Sequence, residues 1–400
     1  MGIKSSGFTK ILSLLTVNAI IPTILNVLAI TGFALLVIGK YFGQDFLVVF
    51  AYLCFGLIAF CGFSVKLSTS KLRFMLPVLF LFIGPMVFHY ILYRDIMLSY
   101  LLHYVAAILI GFYASNIFLR LNWSLVCYAY CAVVAILILI SLDGNTESLN
   151  RTYYSVPLTA IFLCSVIANY HKGLHFDVWP LLGMLVVAVM SLNRASFLLT
   201  LALLSFYLIY KSISGRLTIL SFCIRVLGAL CLILAPLFLS EIIISSDMYQ
   251  RFLDRGLDSG RFLIWAWYIS QIATENLIIG SNADQVMLSI GQIFFKENAN
   301  YSLHNVLLHT HVQGGIFAVF FVIYLINRLM KLNIRGKDRI MVIGAVGLLF
   351  VKSCFEITMF PQYTDWIYFL LYFYTSGTVV RELRERDQSA FCSDQKTVKQ

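Results

Sequence analysis

Three polar interruptions in an otherwise apolar chain carry groups able to act on an anion or a proton. The first is Ser191-Leu192-Asn193-Arg194-Ala195-Ser196, a short turn between two apolar stretches. The guanidinium of Arg194 offers a planar fork of paired N–H donors that matches phosphate, although arginines also snorkel at ordinary helix ends. The second is Asp258-Ser259-Gly260-Arg261, which opens a stretch rich in tryptophan and tyrosine. A guanidinium beside the N–H groups of a helix start suits an anion, and a headgroup anchor for an interfacial helix is the simpler alternative. The third is Leu303-His304-Asn305, with His309 and His311 five and seven residues beyond His304. An imidazole with a pKa near 6.5 can take a proton from a hydroxyl at neutral pH. The three histidines are spaced poorly for one helical face and have no adjacent carboxylate, so no metal is expected.

Lys352 and Glu356 form a fourth pair, four residues apart inside an apolar run. That spacing predicts a mutually neutralising structural pair, with an ion or proton path as the alternative. Other chemistries lack their signatures. The chain has no phosphate-binding Gly-rich loop, no dinucleotide fingerprint, no nucleophile elbow and no H-E-x-x-H zinc helix. Eight of the nine cysteines lie in apolar stretches and none forms a C-x-x-C pair, which gives neither a disulfide framework nor a thiolate zinc site. No cofactor is expected.

The elements that must position these groups are set by the solvent. The 400 residues are 60% hydrophobic and 12% charged, against about 25% charged in soluble proteins. At about 20 residues per crossing, this composition predicts an all-α polytopic membrane protein of about 12 transmembrane helices. Apolar runs place them near 19–39, 45–63, 74–93, 96–118, 124–142, 154–170, 178–193, 196–210, 217–244, 308–327, 340–359 and 367–380. Pro22 and Asn26 could break the first, which is expected to be retained and not cleaved as a signal peptide.

Lysines and arginines favour cytoplasmic loops. With the N-terminus placed inside, alternate loops hold 20 basic residues on the cytoplasmic face and 8 on the other. Both termini are therefore expected in the cytoplasm, and the net charge of +10 reports orientation, not nucleic-acid binding. The predicted organisation is residues 1–244 as nine helices, 245–307 as a large periplasmic loop, 308–380 as three more helices, and 381–400 as a cytoplasmic tail. The loop should contain an amphipathic helix from Arg261, lying at the outer interface. Of the 8 cations on the disfavoured side, five lie in or just before the long loop or at a helix mouth, Arg194, Arg251, Arg255, Arg261 and Lys296, and the outward-facing arginines together with His304 suit an anionic, lipid-borne ligand there.

The second half of the chain resembles the bacterial O-antigen polymerase/O-antigen ligase superfamily of membrane glycosyltransferases. The matching residues are Asn193-Arg194-Ala195, Ser259-Gly260-Arg261 through Trp265, and His304-Asn305 followed after nine residues by Gly315. Family ligases often carry a further glycine where this chain has Ala318. The resemblance implies a metal-independent transfer of a glycan from undecaprenyl diphosphate at the periplasmic face of the bacterial inner membrane. Arg194 and Arg261 would hold the diphosphate and His304 would deprotonate the acceptor hydroxyl. Arg251, Arg255, Arg151 and Asn305 would make further substrate contacts. The acceptor would be another lipid-linked repeat unit for a polymerase or lipid A–core for a ligase, and a chain-length regulator is a further partner the resemblance allows. Two other classes stay open: a non-catalytic lipid-linked glycan flippase, which would need the arginines but not His304, and a transporter built on Lys352 and Glu356.

Overall fold

The computed structural model describes residues 6–63, 69–94, 97–142, 152–174, 178–190, 194–214, 261–272, 274–299, 301–330, 338–355, 360, 362 and 364–375. Every regular element among them is helical. In chain order they are α1 (Ser6–Phe42), α2 (Asp45–Phe63), α3 (Thr69–Val78), α4 (Gly84–Tyr93), α5 (Met97–Ala114), α6 (Trp123–Leu142), α7 (Thr152–His171), α8 (Trp179–Met190) and α9 (Arg194–Ser214). After these come α10 (Arg261–Gln271), α11 (Thr274–Ile279), α12 (Ala283–Ile290), α13 (Val306–Met330) and α14 (Asp338–Phe355), then a helical stretch at 365–375.

Among the described residues, five helices are long and apolar enough to cross a bilayer: Ile20–Phe42, Asp45–Phe63, Lys71–Tyr93, Trp123–Ile140 and Val306–Met330. The third joins α3 and α4 through a π-helical turn at Leu79–Ile83. Shorter apolar helices include Leu98–Ala114, Val156–His171, Trp179–Val189, Ser196–Lys211 and Met341–Cys354. The run expected near 217–244 and the tail at 381–400 lie outside the described residues. Along α2, Phe46, Phe50, Leu53, Leu57 and Phe60 are all exposed while Ala51, Phe55 and Ile58 are buried. A helix apolar on its outer face as well as its inner one is stable only where lipid replaces water. The chain is a helical membrane protein.

The first helix runs unbroken through Pro22. Proline removes a backbone donor, and a bilayer helix tolerates this when neighbours re-satisfy the freed groups. Asn26, the other suspected breaker, instead accepts from the backbone N–H of Asn122 at 2.7 Å through its side-chain oxygen.

The centre of the bundle is the stretch 365–375. Trp366, Ile367, Tyr368, Phe369, Leu370, Leu371, Tyr372 and Phe373 are all fully buried. Gly111 of α5 lets that helix approach closely, since a Cβ there would lie 2.6 Å from Leu370 N and Trp366 O. Trp366 packs on Phe55 with ring centroids 4.8 Å apart and on Phe33 at 5.9 Å. Small residues that admit close backbone approach are the usual means of holding helices together in lipid, where no hydrophobic drive distinguishes protein from solvent.

The segment expected to carry one interfacial helix is several short ones. α10 ends at Gln271, and α11 and α12 follow. On α10, Ile264 and Tyr268 are buried while Phe262, Leu263 and Ile269 are exposed.

α13 kinks at Gly314 and Gly315. Gly315 has φ 62° and ψ −160°, a conformation open in practice to glycine alone. A Cβ on it would also sit 1.9 Å from the carbonyl oxygen of Ile278. The kink frees the carbonyl of Val312, which accepts from Ser281 N at 3.1 Å, so α11 docks directly on the bend.

Candidate functional site

The site is built where the segment before α13 meets α10. Asn305 caps α13, its side-chain oxygen accepting from the N–H groups of Leu307 at 2.9 Å and Leu308 at 3.2 Å. This satisfies two of the four orphan donors of a helix start. The side-chain oxygen of Asn305, expected to contact substrate, therefore has a structural role. One residue earlier, His304 takes a left-handed backbone with φ 52°, which is uncommon for a residue with a Cβ. Its backbone N–H donates to the Ser302 hydroxyl at 3.1 Å. Strain of this kind concentrates at functional positions.

From the other side, Trp265 donates its indole N–H to the carbonyl of Leu303 at 2.7 Å. Arg261 lies one helical turn before Trp265, on the same face of α10. Burial, and then the charge of Arg261, pull the His304 imidazole down to about pH 4. At neutral pH its ring is an uncharged base beside a fixed cation.

The other two histidines divide in role. His311 is locked: the buried Tyr268 hydroxyl, held protonated because burial pushes its pKa up, meets Nδ1 at 2.8 Å, and Nε2 lies 3.2 Å from the carbonyl of Leu277. A carbonyl can only accept, so Nε2 carries the proton, and His311 ties α10 and α11 to α13. His309 is 2% exposed and meets Gln313 Nε2 through its own Nε2 at 3.0 Å, while its Nδ1 is buried without a hydrogen-bond partner. Gln313 in turn accepts from the Tyr104 hydroxyl at 2.7 Å.

Tyr104 leads to a further polar group. His103, its neighbour on α5, places Nε2 3.3 Å from Asp365 and 2.9 Å from the carbonyl of Gln362, and Nδ1 3.1 Å from the Tyr52 hydroxyl. Asp365, fully buried, also accepts from the N–H groups of Phe360 at 3.0 Å and Gln362 at 2.8 Å. It holds the turn that starts the central helical stretch. Sequence reasoning missed Tyr104, Gln313, His103 and Asp365. The usable signal was the presence of polar side chains inside apolar runs, which is costly in lipid. What joins them is tertiary.

Among the described residues no three His, Cys, Asp or Glu side chains are grouped to hold a metal. Arg194 is the first residue of α9, and its side chain lies outside what the structure describes, as do Arg151, Arg251 and Arg255 altogether. Of the expected set, the structure therefore brings together Arg261, His304 and Asn305. Lys352, 4% exposed, donates to the hydroxyls of Ser196 at 2.8 Å and Thr159 at 3.3 Å, linking α14 to α9 and α7. Glu356, its expected partner, lies outside the described residues.

Fold and site together describe a helical chain with, among the described residues, five helices able to cross a bilayer, and with Arg261 and an uncharged His304 in the elements that meet before α13. The chain matches no family model, no curated protein and no solved structure.

Proposed function

We propose that the protein is a membrane glycosyltransferase that polymerises undecaprenyl diphosphate-linked repeat units of a surface polysaccharide at the periplasmic face of the inner membrane. The observation that carries this reading is the pairing of Arg261 with His304, two residues far apart in the sequence that the resemblance assigned to one reaction. A transfer of this kind needs one proton removed and one leaving group stabilised. A ring nitrogen of His304 takes the proton of the acceptor hydroxyl as that oxygen bonds to the anomeric carbon. The bond from that carbon to the diphosphate oxygen breaks, and undecaprenyl diphosphate departs with its charge held by Arg261 and by Arg194 at the start of α9. Fixed cations aimed at developing charge are effective where water is excluded.

A base held near pH 4 is weak, chiefly through burial and then through the charge of Arg261, and the substrate offsets the second cause. A diphosphate seated on Arg261 cancels that charge, so the imidazole regains part of its basicity when the donor is bound. The charge distribution favours the same orientation. Lys71, whose ammonium donates to Ser115 and Asn116, and Arg328, stacked on the ring of Phe74, lie at the opposite ends of their helices from His89 and His304. The predicted 12-helix topology puts that end in the cytoplasm and the Arg261–His304 patch outside.

The lipopolysaccharide ladder of a bacterial strain lacking this gene tests the reading. Core bearing a single repeat unit is the expected result, restored to a full ladder by wild type and not by His304→Ala at equal expression. Bare core with polymer accumulating on undecaprenyl diphosphate would make the protein the ligase. A full ladder from His304→Ala at equal expression would remove the histidine base from the mechanism.

A further inference from the structure

The buried ring of His309 has no place in the two-residue mechanism, yet two other fully buried polar side chains are committed to orienting it. Tyr104 and Gln313 are each 0% exposed. Polar side chains inside a membrane span are expensive and tend to mark function. The direction of the hydrogen bonds is informative. Tyr104 donates to Gln313 Oε1 at 2.7 Å, so the amide nitrogen of Gln313 faces His309 Nε2 at 3.0 Å. An amide nitrogen only donates. His309 Nε2 must therefore be a lone pair, and the ring proton sits on Nδ1, the buried nitrogen that has no partner in the protein.

We infer that His309 Nδ1–H is a fixed, uncharged donor to a phosphoryl oxygen of the lipid diphosphate. The inference rests on the transferase reading and adds a binding residue to it. Three features select this class of ligand. The group can donate but not accept, which suits an acceptor-only phosphoryl oxygen better than a sugar hydroxyl, whose own proton would need a second partner. The backbone N–H of His309 donates to the carbonyl of Asn305 at 2.8 Å, which puts His309 in the first turn of α13 beside His304, and His304 in turn feels the charge of Arg261. A buried N–H left unpaired costs free energy that a bound oxygen would recover. The third histidine, His311, has both ring nitrogens occupied by Tyr268 and Leu277 and provides the contrast.

Asparagine and glutamine separate this role from packing, because the asparagine amide nitrogen can take the place of Nδ1 whereas glutamine reaches the place of Nε2. Binding of undecaprenyl diphosphate to the full-length protein in lipid nanodiscs is the readout. Wild type and His309→Asn should bind within about threefold of each other, while His309→Gln and His309→Ala should bind roughly tenfold more weakly, the usual scale for one lost hydrogen bond to a charged acceptor. Tyr104→Phe should weaken binding a few-fold, since Gln313 is then free to turn its oxygen toward Nε2 and draw the ring proton away from Nδ1. Equal affinities for His309→Asn and His309→Gln, or wild-type affinity in His309→Ala, would overturn the inference and leave the transferase reading standing. No binding of this lipid by wild type would overturn both. Should His309→Ala fail to give monodisperse protein, the comparison of Asn with Gln decides.

Discussion

The indole N–H of Trp265 and the carbonyl of Leu303 meet at 2.7 Å across 38 residues of chain. This bond joins the helix that carries Arg261 to Leu303, the residue before the strained His304, and so holds α10 against the segment that bears the imidazole. Trp265→Phe keeps the ring and deletes the donor. It should cost about 1 kcal/mol of stability and lower the transfer rate by about tenfold through loosened geometry. Thermal unfolding in detergent and the initial rate measure the two effects separately. An unchanged rate would show that the Arg261–His304 spacing is set elsewhere.

Acidity provides a second check. His304 has a folded-state pKa of about 4 against an ordinary 6.5, so in the free protein it stays neutral down to about pH 4. The acid limb of kcat/KM, which reports the free enzyme, should fall near pH 4. The limb of kcat, which reports the bound complex, should lie higher, because the diphosphate offsets Arg261. Arg261→Gln should raise the kcat/KM limb. Stability follows the same sign: it is fully present above pH 6.5 and declines as the pH falls toward 4, where the unfolded chain binds the proton first.

The bend in α13 is a glycine requirement on two counts. Gly315→Ala places a Cβ 1.9 Å from the Ile278 carbonyl and does so at φ 62°. It should destabilise the protein by more than about 3 kcal/mol, beyond ordinary substitutions. Gly43→Ala, at φ 64° with open space around it, should cost only about 1 kcal/mol. The difference between their unfolding temperatures is the measurement.

Lys352 reaches across helices to Ser196 and Thr159. A double-mutant cycle between Lys352→Met and Ser196→Ala should give a coupling of about 1–2 kcal/mol in unfolding free energy. The corresponding cycle with Glu356→Gln asks whether the i,i+4 pair also contributes. A coupling near zero at Ser196 would mean that the ammonium draws its stabilisation from other partners.

The helical membrane class was legible because composition and run length report the solvent directly. Arg261, His304 and Gly315 could be singled out from their residue types and spacing, and Asn305 as a polar residue before an apolar run. Where one residue could serve two ends, its type was not enough. Asn305 reads as a substrate contact, and only the structure shows that its side-chain oxygen also accepts from the backbone N–H groups of Leu307 and Leu308, while three histidines at 304, 309 and 311 read alike until their partners separate them.

By itself the sequence determined that the chain must bury its backbone groups in helices within lipid, since no other open structure satisfies them there. It also marked some of the side chains too costly in that solvent to be idle, Arg261, His304 and Lys352 among them, and passed over Tyr104, Gln313, His103 and Asp365. Only the tertiary structure decided which of these meet. The kink at Gly315, the cap at Asn305 and the bond from Trp265 to Leu303 bring α10 and α13 together. The path from Tyr104 to His309 depends on helices more than 200 residues apart in the chain. Such contacts arise from close packing between helices, which one-dimensional periodicity does not encode.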